Sequence, residues 1–373
     1  MSKQPIHALF IFGTRPEAIK LCPVVRTLAA DPSYRVTVCV TAQHRGLLDQ
    51  VLEAFAVTPA HDLDVMTPGQ TLFQSTARII AALEPVIDAE KPDVAIVQGD
   101  TTTTFCGALA AFYRRIPVAH VEAGLRTGDI YQPFPEEMNR LLAGRIARVH
   151  LAATEWAAQN LRREGVPASA IHITGNTGID AVLHVAGELQ AGRIAAPQWP
   201  MLDPAKKLIV VTTHRRESFG EGLANTCRAI RTLAARGDAQ VVFPVHPNPN
   251  VRAAVDATLR DAPNVVLCEP LGYIPFVDLM RRAWFLLTDS GGIQEEGPSL
   301  GKPILVLREK TERPEAVNAG TVRLVGADPD RILSNATELL DNPSTYAAMA
   351  RAHNPYGDGR ASERIAGILR EAL

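Results

Sequence analysis

DVAIVQGDTTTTFCGALAAFYRRIPVAHVE, residues 93–122, reads as two buried strands with a helix between them. The runs DVAIVQG (93–99) and PVAHVE (117–122) are short and almost continuously apolar. Thr101 to Thr104 stand where a helix N-cap belongs. Continuous apolar strands separated by helix-length segments predict a parallel sheet covered on both faces. The same alternation extends in both directions. HALFIF (7–12) and RVTVCVT (35–41) come before, VHLAAT (149–154) and IHITG (171–175) after. A second series follows: KLIVVTTH (207–214), QVVFPVH (240–246), NVVLCEP (264–270), WFLLTDS (284–290), PILVLR (303–308) and TVRLVG (321–326).

The break between the series falls at about 177–206, which is rich in Pro and Ala and has no clear period. We expect a domain boundary near Asn176–Thr177, with a helix from about Ile179. The tail NPYGDGRASERIAGILREAL reads as a Gly/Asp turn and an amphipathic helix. The expected fold class is α/β, with two Rossmann-like doubly wound parallel-sheet domains facing each other across a cleft. Ligands in such sheets bind at the carboxyl ends of the strands.

The 373 residues suit about two domains, and 46% hydrophobic content supplies two ordinary cores. A net charge of −2 gives no reason to expect nucleic acid or an anionic membrane as partner. No apolar run reaches the roughly 18 residues of a membrane span. MSKQPIHALFIFGTRPEA has too brief an apolar run for a signal peptide and reads as a first strand, so a cytoplasmic protein is expected. Five scattered cysteines with no C-x-x-C suit reduced thiols. The ten histidines include no H-E-x-x-H, and no metal is expected.

Five stretches carry candidate chemistry. FIFGTRPEAIK (10–20) runs from a strand into a helix start, with Pro16 and Glu17 favouring the first turn. Arg15 and Lys20 are either anion ligands near that helix end or solvated cations. In QGDTTTTF, Asp100 is a strand-end acid or a cap. In HVEAGLRTGDIYQPFPEEMNR (120–140), Glu122 ends a strand, and Glu136 and Arg140 lie one turn apart, where an i,i+4 salt bridge is the plain reading. In VVTTHRRESFGEGL, His214 and two arginines suit phosphate oxygens. In LLTDSGGIQEEGPSLGKP (286–303), Gly291 and Gly292 let backbone amides approach a ligand at a helix start. Neither a dinucleotide fingerprint nor a true P-loop is present.

FGTRPEAIK, GDTTTT, HVEAGLRTGD, PFPEEMNR, TTHRRE, DSGGIQEE and TERPEA, in this order, closely resemble the non-hydrolysing bacterial UDP-N-acetylglucosamine 2-epimerases over nearly the whole chain. The resemblance implies a GT-B fold, no cofactor, a homodimer, and reversible conversion of UDP-GlcNAc to UDP-ManNAc through UDP elimination. It implies an N-terminal domain 1–176, rejoined by a C-terminal helix at about 355–373, and a UDP-binding domain 177–354. It implies catalytic roles for Asp100, Glu122, Glu136 and His214. Substrate binding would fall to Arg15, Lys20, Arg140, Phe276, Ser290, Gly291, Gly292, Glu296 and Arg313. A second UDP-GlcNAc, as activator, would meet Gln43, His44, Gln70 and His246. Ser218 and Phe134 depart from the family pattern at positions that touch substrate fit. The alternatives are a 2-epimerase of a UDP-diacetamido sugar or uronate, and a GT-B glycosyltransferase.

Overall fold

The computed structural model describes residues 4–42, 45–67, 69–213, 220–311 and 313–373. Thirteen strands form among them: β1 (Ile6–Phe12), β2 (Tyr34–Val40), β3 (His61–Asp62), β4 (Val94–Gln98), β5 (Val118–Val121), β6 (Val149–Ala152), β7 (Ile171–Ile173), β8 (Lys207–Thr212), β9 (Ala239–Pro244), β10 (Val265–Cys268), β11 (Phe285–Thr288), β12 (Ile304–Val306) and β13 (Val322–Leu324). Twelve are the expected ones, with ends within two residues of the apolar runs. The exception is β3, a partly exposed His-Asp pair too short to leave a pattern.

Contacts divide the chain into two compact units, Met1–Ala181 with Tyr356–Leu373, and Val182–Pro355. The first holds one parallel sheet in the order β3-β2-β1-β4-β5-β6-β7. The strand order reverses at β1, so the crevice between the carboxyl ends of β1 and β4 is the topological switch point. Leu9 and Ile11 of β1 and Ala95 and Val97 of β4 pack with Ile79, Leu83 and Cys106 from the covering helices. The C-terminal helix Ala361–Ala372 is capped within this unit: the Asp180 carboxylate accepts from the amides of Ala361 at 3.2 Å and Ser362 at 2.7 Å.

The second unit holds β10-β9-β8-β11-β12-β13, also parallel, with its switch point between β8 and β11. Its core joins Ile209, Val211, Phe243 and Leu287 of the sheet to Leu223, Ile230, Ile332 and Leu339 of the helices. All five cysteines are free thiols, and burial pushes those of Cys22, Cys39, Cys106 and Cys227 up to about 12. Among the described residues no helix is long and apolar enough to cross a membrane.

Candidate active site

In the first unit the expected residues gather at the carboxyl ends of three neighbouring strands, β1, β4 and β5. β1 leads through Thr14 into the helix Arg15–Ala29, which carries Arg15 and Lys20. β4 leads to Asp100 and the helix Thr102–Tyr113, whose N-cap is Thr101. β5 ends one residue before Glu122. Lys20 Nζ donates to Glu122 Oε1, and Gln98 Nε2 donates to Glu122 Oε2. The Lys20 and Glu122 side chains are only 17% and 10% exposed, so both are held in place. Glu122 adopts φ +62°, the left-handed region. Such a conformation costs a bulky residue about 1–3 kcal/mol and persists only where the surroundings enforce it.

Beside this pair, the Arg140 guanidinium donates to Asp100 Oδ2 and forms an ion pair with Glu137 Oε2 at 3.1 Å. Glu137 is buried, and its Oε1 accepts from the amides of Thr127 at 3.0 Å and Gly128 at 3.3 Å. Asn139 Nδ2 donates to the Asp100 carbonyl at 3.0 Å. The helix Glu136–Ile146 therefore turns Arg140 toward Asp100 and Glu137, and the i,i+4 pair with Glu136 does not form. The side chains of Glu136 and Arg15 are half-buried and make no ion pair or hydrogen bond among the described residues.

Buried groups behind these residues hold the loops. The carboxylate of Glu17, 1% exposed, accepts from donors on both the β1 and the β4 loops. His120 Nε2 donates to the Gly99 carbonyl at 2.7 Å. Its neighbour across the β5–β6 ladder is His150. Burial is the largest influence on both and pushes each imidazole down to about 4, so both are neutral near pH 7. Sequence reasoning took Glu17 only as a helix-start residue and gave no role to Gln98, Glu137, Asn139 or His120. The T-x-x-E spacing of Thr14 and Glu17 was the one available signal.

In the second unit β11 leads through Asp289 to Ser290, the N-cap of the short helix Gly291–Glu296. Glu295 and Glu296 fall in its second turn. Gln294, fully buried, donates to the Ser290 carbonyl at 3.1 Å and accepts from Thr311 Oγ1 at 2.8 Å. Arg313 Nε donates to Glu295 Oε1 at 2.6 Å. The guanidinium lies against the Gly291 backbone so closely that a Cβ there would stand 2.6 Å from Cζ. Phe276, half-buried, lies on the helix Tyr273–Arg282. Glu296 is near Tyr273, whose phenol is raised well above its ordinary value by burial and, secondarily, by that carboxylate. A cavity of about 350 Å³ is lined by Thr213, Thr226, Arg308 and Lys310, and among the described residues none of the expected ones lines it.

His214, Gln43 and His44 lie outside the described residues. Gln70 is taken up locally: its Oε1 accepts from Thr67 Oγ1 at 3.0 Å and from Arg78 Nη1 at 3.2 Å. His246 follows β9, and its Nδ1 accepts from the Asn248 amide at 3.2 Å.

Comparison with known proteins shows the family. Residues 26–370 match the family model described as UDP-N-acetylglucosamine 2-epimerase. The protein of that name from Escherichia coli K12 is 56% identical over 370 residues, 98% of each chain. The crystal structure of UDP-GlcNAc 2-epimerase from Neisseria meningitidis bound to UDP-GlcNAc is 46% identical, covers 98% of this chain and 100% of its own, and superposes with a TM-score of 0.90. The glycosyltransferase SnogD from Streptomyces nogalater, 17% identical over 99% of this chain and 100% of its own with a TM-score of 0.64, shares the fold alone.

Proposed function

The chain belongs to the UDP-N-acetylglucosamine 2-epimerase family, and we propose that it interconverts UDP-GlcNAc and UDP-ManNAc by eliminating and re-adding UDP. The observation that carries this reading is the convergence of Lys20–Glu122–Gln98 and Arg140–Asp100 at the ends of three adjacent strands. The proton on C2 of the sugar has no adjacent carbonyl to acidify it. It becomes removable as the C1–O bond breaks and C1 gains oxocarbenium character. The electron pair of the C1–O bond leaves with UDP. The pair of the C2–H bond becomes the C1=C2 bond of 2-acetamidoglucal, and the proton goes to a base. Reprotonation of C2 from the other face, with UDP returning to C1, inverts the centre.

The bonding of the side chains supports the roles proposed for them. Glu122 accepts a hydrogen bond at each oxygen, and this fixed orientation supports the reading of its carboxylate as the proton acceptor. Glu136, with no partner among the described residues, is the group assigned to the other face. Asp100, fixed by Arg140 and backed by Asn139, orients the sugar between them. In the second unit, Arg313 and the Gly291–Gly292 backbone supply donors for the diphosphate, with His214, Ser290, Phe276 and Glu296 completing the nucleotide contacts. Arg15 and Lys20 add positive charge. Fixed donors aimed at a leaving group of growing negative charge lower the barrier without reorganisation.

Further elements of the proposal are a cytoplasmic homodimer and a second UDP-GlcNAc bound as activator. For the latter, Gln70 would exchange its bonds to Thr67 and Arg78 for the ligand. The test is proton NMR of the protein with UDP-GlcNAc in D2O. The expected result is UDP-ManNAc carrying deuterium at C2 with no free ManNAc. Release of free ManNAc and UDP, or no change while UDP still binds, would overturn the reading.

A further inference from the structure

We propose that Glu17 is a positioning residue: its buried carboxylate staples the β1 loop, which leads into the helix carrying Arg15 and Lys20, to the loop carrying Asp100, and through Thr104 and Gln98 it sets the aim of Glu122. The inference rests on the roles proposed above for those four residues. Oε2 accepts from the amides of Gly13 at 3.1 Å and Thr14 at 2.8 Å and from Thr14 Oγ1 at 2.7 Å, all on the β1 loop. Oε1 accepts from Thr101 Oγ1 at 2.7 Å, on the β4 loop. The single hydroxyl proton of Thr104 is shared between Oε1 at 3.2 Å and the Gln98 carbonyl at 2.6 Å. The Gln98 side chain then donates to Glu122. One carboxylate thus connects, within three hydrogen bonds, the segments that present a cation, an acid and the assigned base.

An ordinary helix cap does not account for this. A capping box asks the Glu for one bond, back to the N-cap amide, and Oε2 supplies it. Nothing in that motif calls for a second oxygen turned to a different loop, or for a carboxylate taken out of water. Burial is the largest influence on Glu17 and raises its pKa, opposed by the hydroxyl and amide donors. Such a site is costly unless every lone pair is engaged. The sequence meets that demand with threonines at 14, 101 and 104.

Glu17→Ala removes the staple. Glu17→Gln keeps it, because the amide oxygen can face the two backbone N–H groups while Nε2 donates to the threonine hydroxyls, which accept as well as donate. Displacing a reacting group by ~1 Å costs roughly 100-fold in rate. The expected result is therefore a kcat for C2 deuterium uptake, per folded molecule, reduced roughly 100-fold in Glu17→Ala and within about tenfold of wild type in Glu17→Gln. Thr104→Val leaves the capping box intact and is expected to lose about tenfold in kcat with little change in melting temperature. Amide hydrogen exchange reads the linkage without substrate: the amides of Thr104 and Phe105 exchange faster in Glu17→Ala. Wild-type kcat in both Glu17→Ala and Thr104→Val, or unchanged exchange at Thr104 and Phe105, overturns the proposal. A wild-type protein that leaves UDP-GlcNAc unchanged overturns the epimerase reading instead, and the exchange measurement still decides the role of Glu17.

Discussion

Replacing Gly291 by alanine adds one methyl group where the second unit has no room for it. The added Cβ would stand 2.6 Å from Cζ and Nη1 of Arg313 and 2.9 Å from Nη2. Ordinary contact begins at 3.4 Å, so in this close-packed place the guanidinium has to retreat by about 0.8 Å. It is also tethered, since Nε bonds to Glu295 Oε1 at 2.6 Å. A shift of that size strains or breaks a charge-assisted bond whose usual length is about 2.7–2.9 Å. The helix itself does not object. Gly291 is not in the left-handed region, and alanine is a better helix former than glycine by about 0.5–1 kcal/mol. The ligand-free melting temperature should therefore stay within about 3 °C of wild type. With Arg313 in its proposed role, UDP loses one charge-assisted contact, worth about 1.5–3 kcal/mol, and its Kd should rise roughly 10- to 150-fold. Titration calorimetry with UDP, beside a thermal melt without it, reads both numbers. Wild-type affinity for UDP in Gly291→Ala would refute the placement of Arg313 as a diphosphate ligand.

Three further outcomes are expected. Glu122→Gln should abolish epimerisation and deuterium entry at C2 of UDP-GlcNAc while UDP binding, followed by calorimetry, persists; normal turnover would remove Glu122 from the proposed base role. Arg140→Lys should lower kcat by about 100-fold with only a small loss of stability, because a lysine cannot reach Asp100 and Glu137 with two prongs; steady-state rates with a denaturant melt check it. His120 has a folded pKa of about 4 against an unfolded value near 6.5, so the unfolded chain takes up its proton first as pH falls. Its contribution is constant above pH 6.5 and is lost between pH 6.5 and 4, about 2 kcal/mol of it by pH 5. Urea unfolding of wild type and His120→Gln at pH 7 and pH 5 should show a smaller pH dependence in the variant.

The fold was legible because its strands are buried on both faces and therefore read as continuous apolar runs. Strand ends then located the candidate site: Asp100, Glu122 and Ser290 all follow directly from where an apolar run stops. Partners were not legible in the same way. Lys20 and Glu122 are 102 positions apart and meet only because β1, β4 and β5 are neighbours. Helical spacing offered Glu136 as the partner of Arg140, whereas the orientation of that helix on the sheet delivers Asp100 and Glu137. Glu17 looked like a cap because a capping box and a buried staple share one local spacing. The difference lies in Thr101 and Thr104, more than eighty residues away.

The unequal bonding of the acids leads to a sharper test of the proposed chemistry. Inversion at C2 through a planar intermediate needs one group to take a proton from one face and another to give a proton to the opposite face. Their roles exchange when the reaction runs backwards. If Glu122 serves the face of the UDP-GlcNAc proton, then Glu136→Gln leaves elimination from UDP-GlcNAc possible and blocks protonation from the other side. The intermediate can only collapse the way it came, with a proton that has exchanged with solvent on Glu122. In D2O that variant should place deuterium at C2 of recovered UDP-GlcNAc and form no UDP-ManNAc. Starting from UDP-ManNAc it should do nothing, since the only base facing that proton is gone. Glu122→Gln should show the mirror image at most, with exchange confined to UDP-ManNAc, or no exchange at all where its loss also frees Lys20. Deuterium entering both sugars in Glu136→Gln would mean that a single group serves both faces. The separate roles drawn from the bonded Glu122 and the unbonded Glu136 would then be wrong.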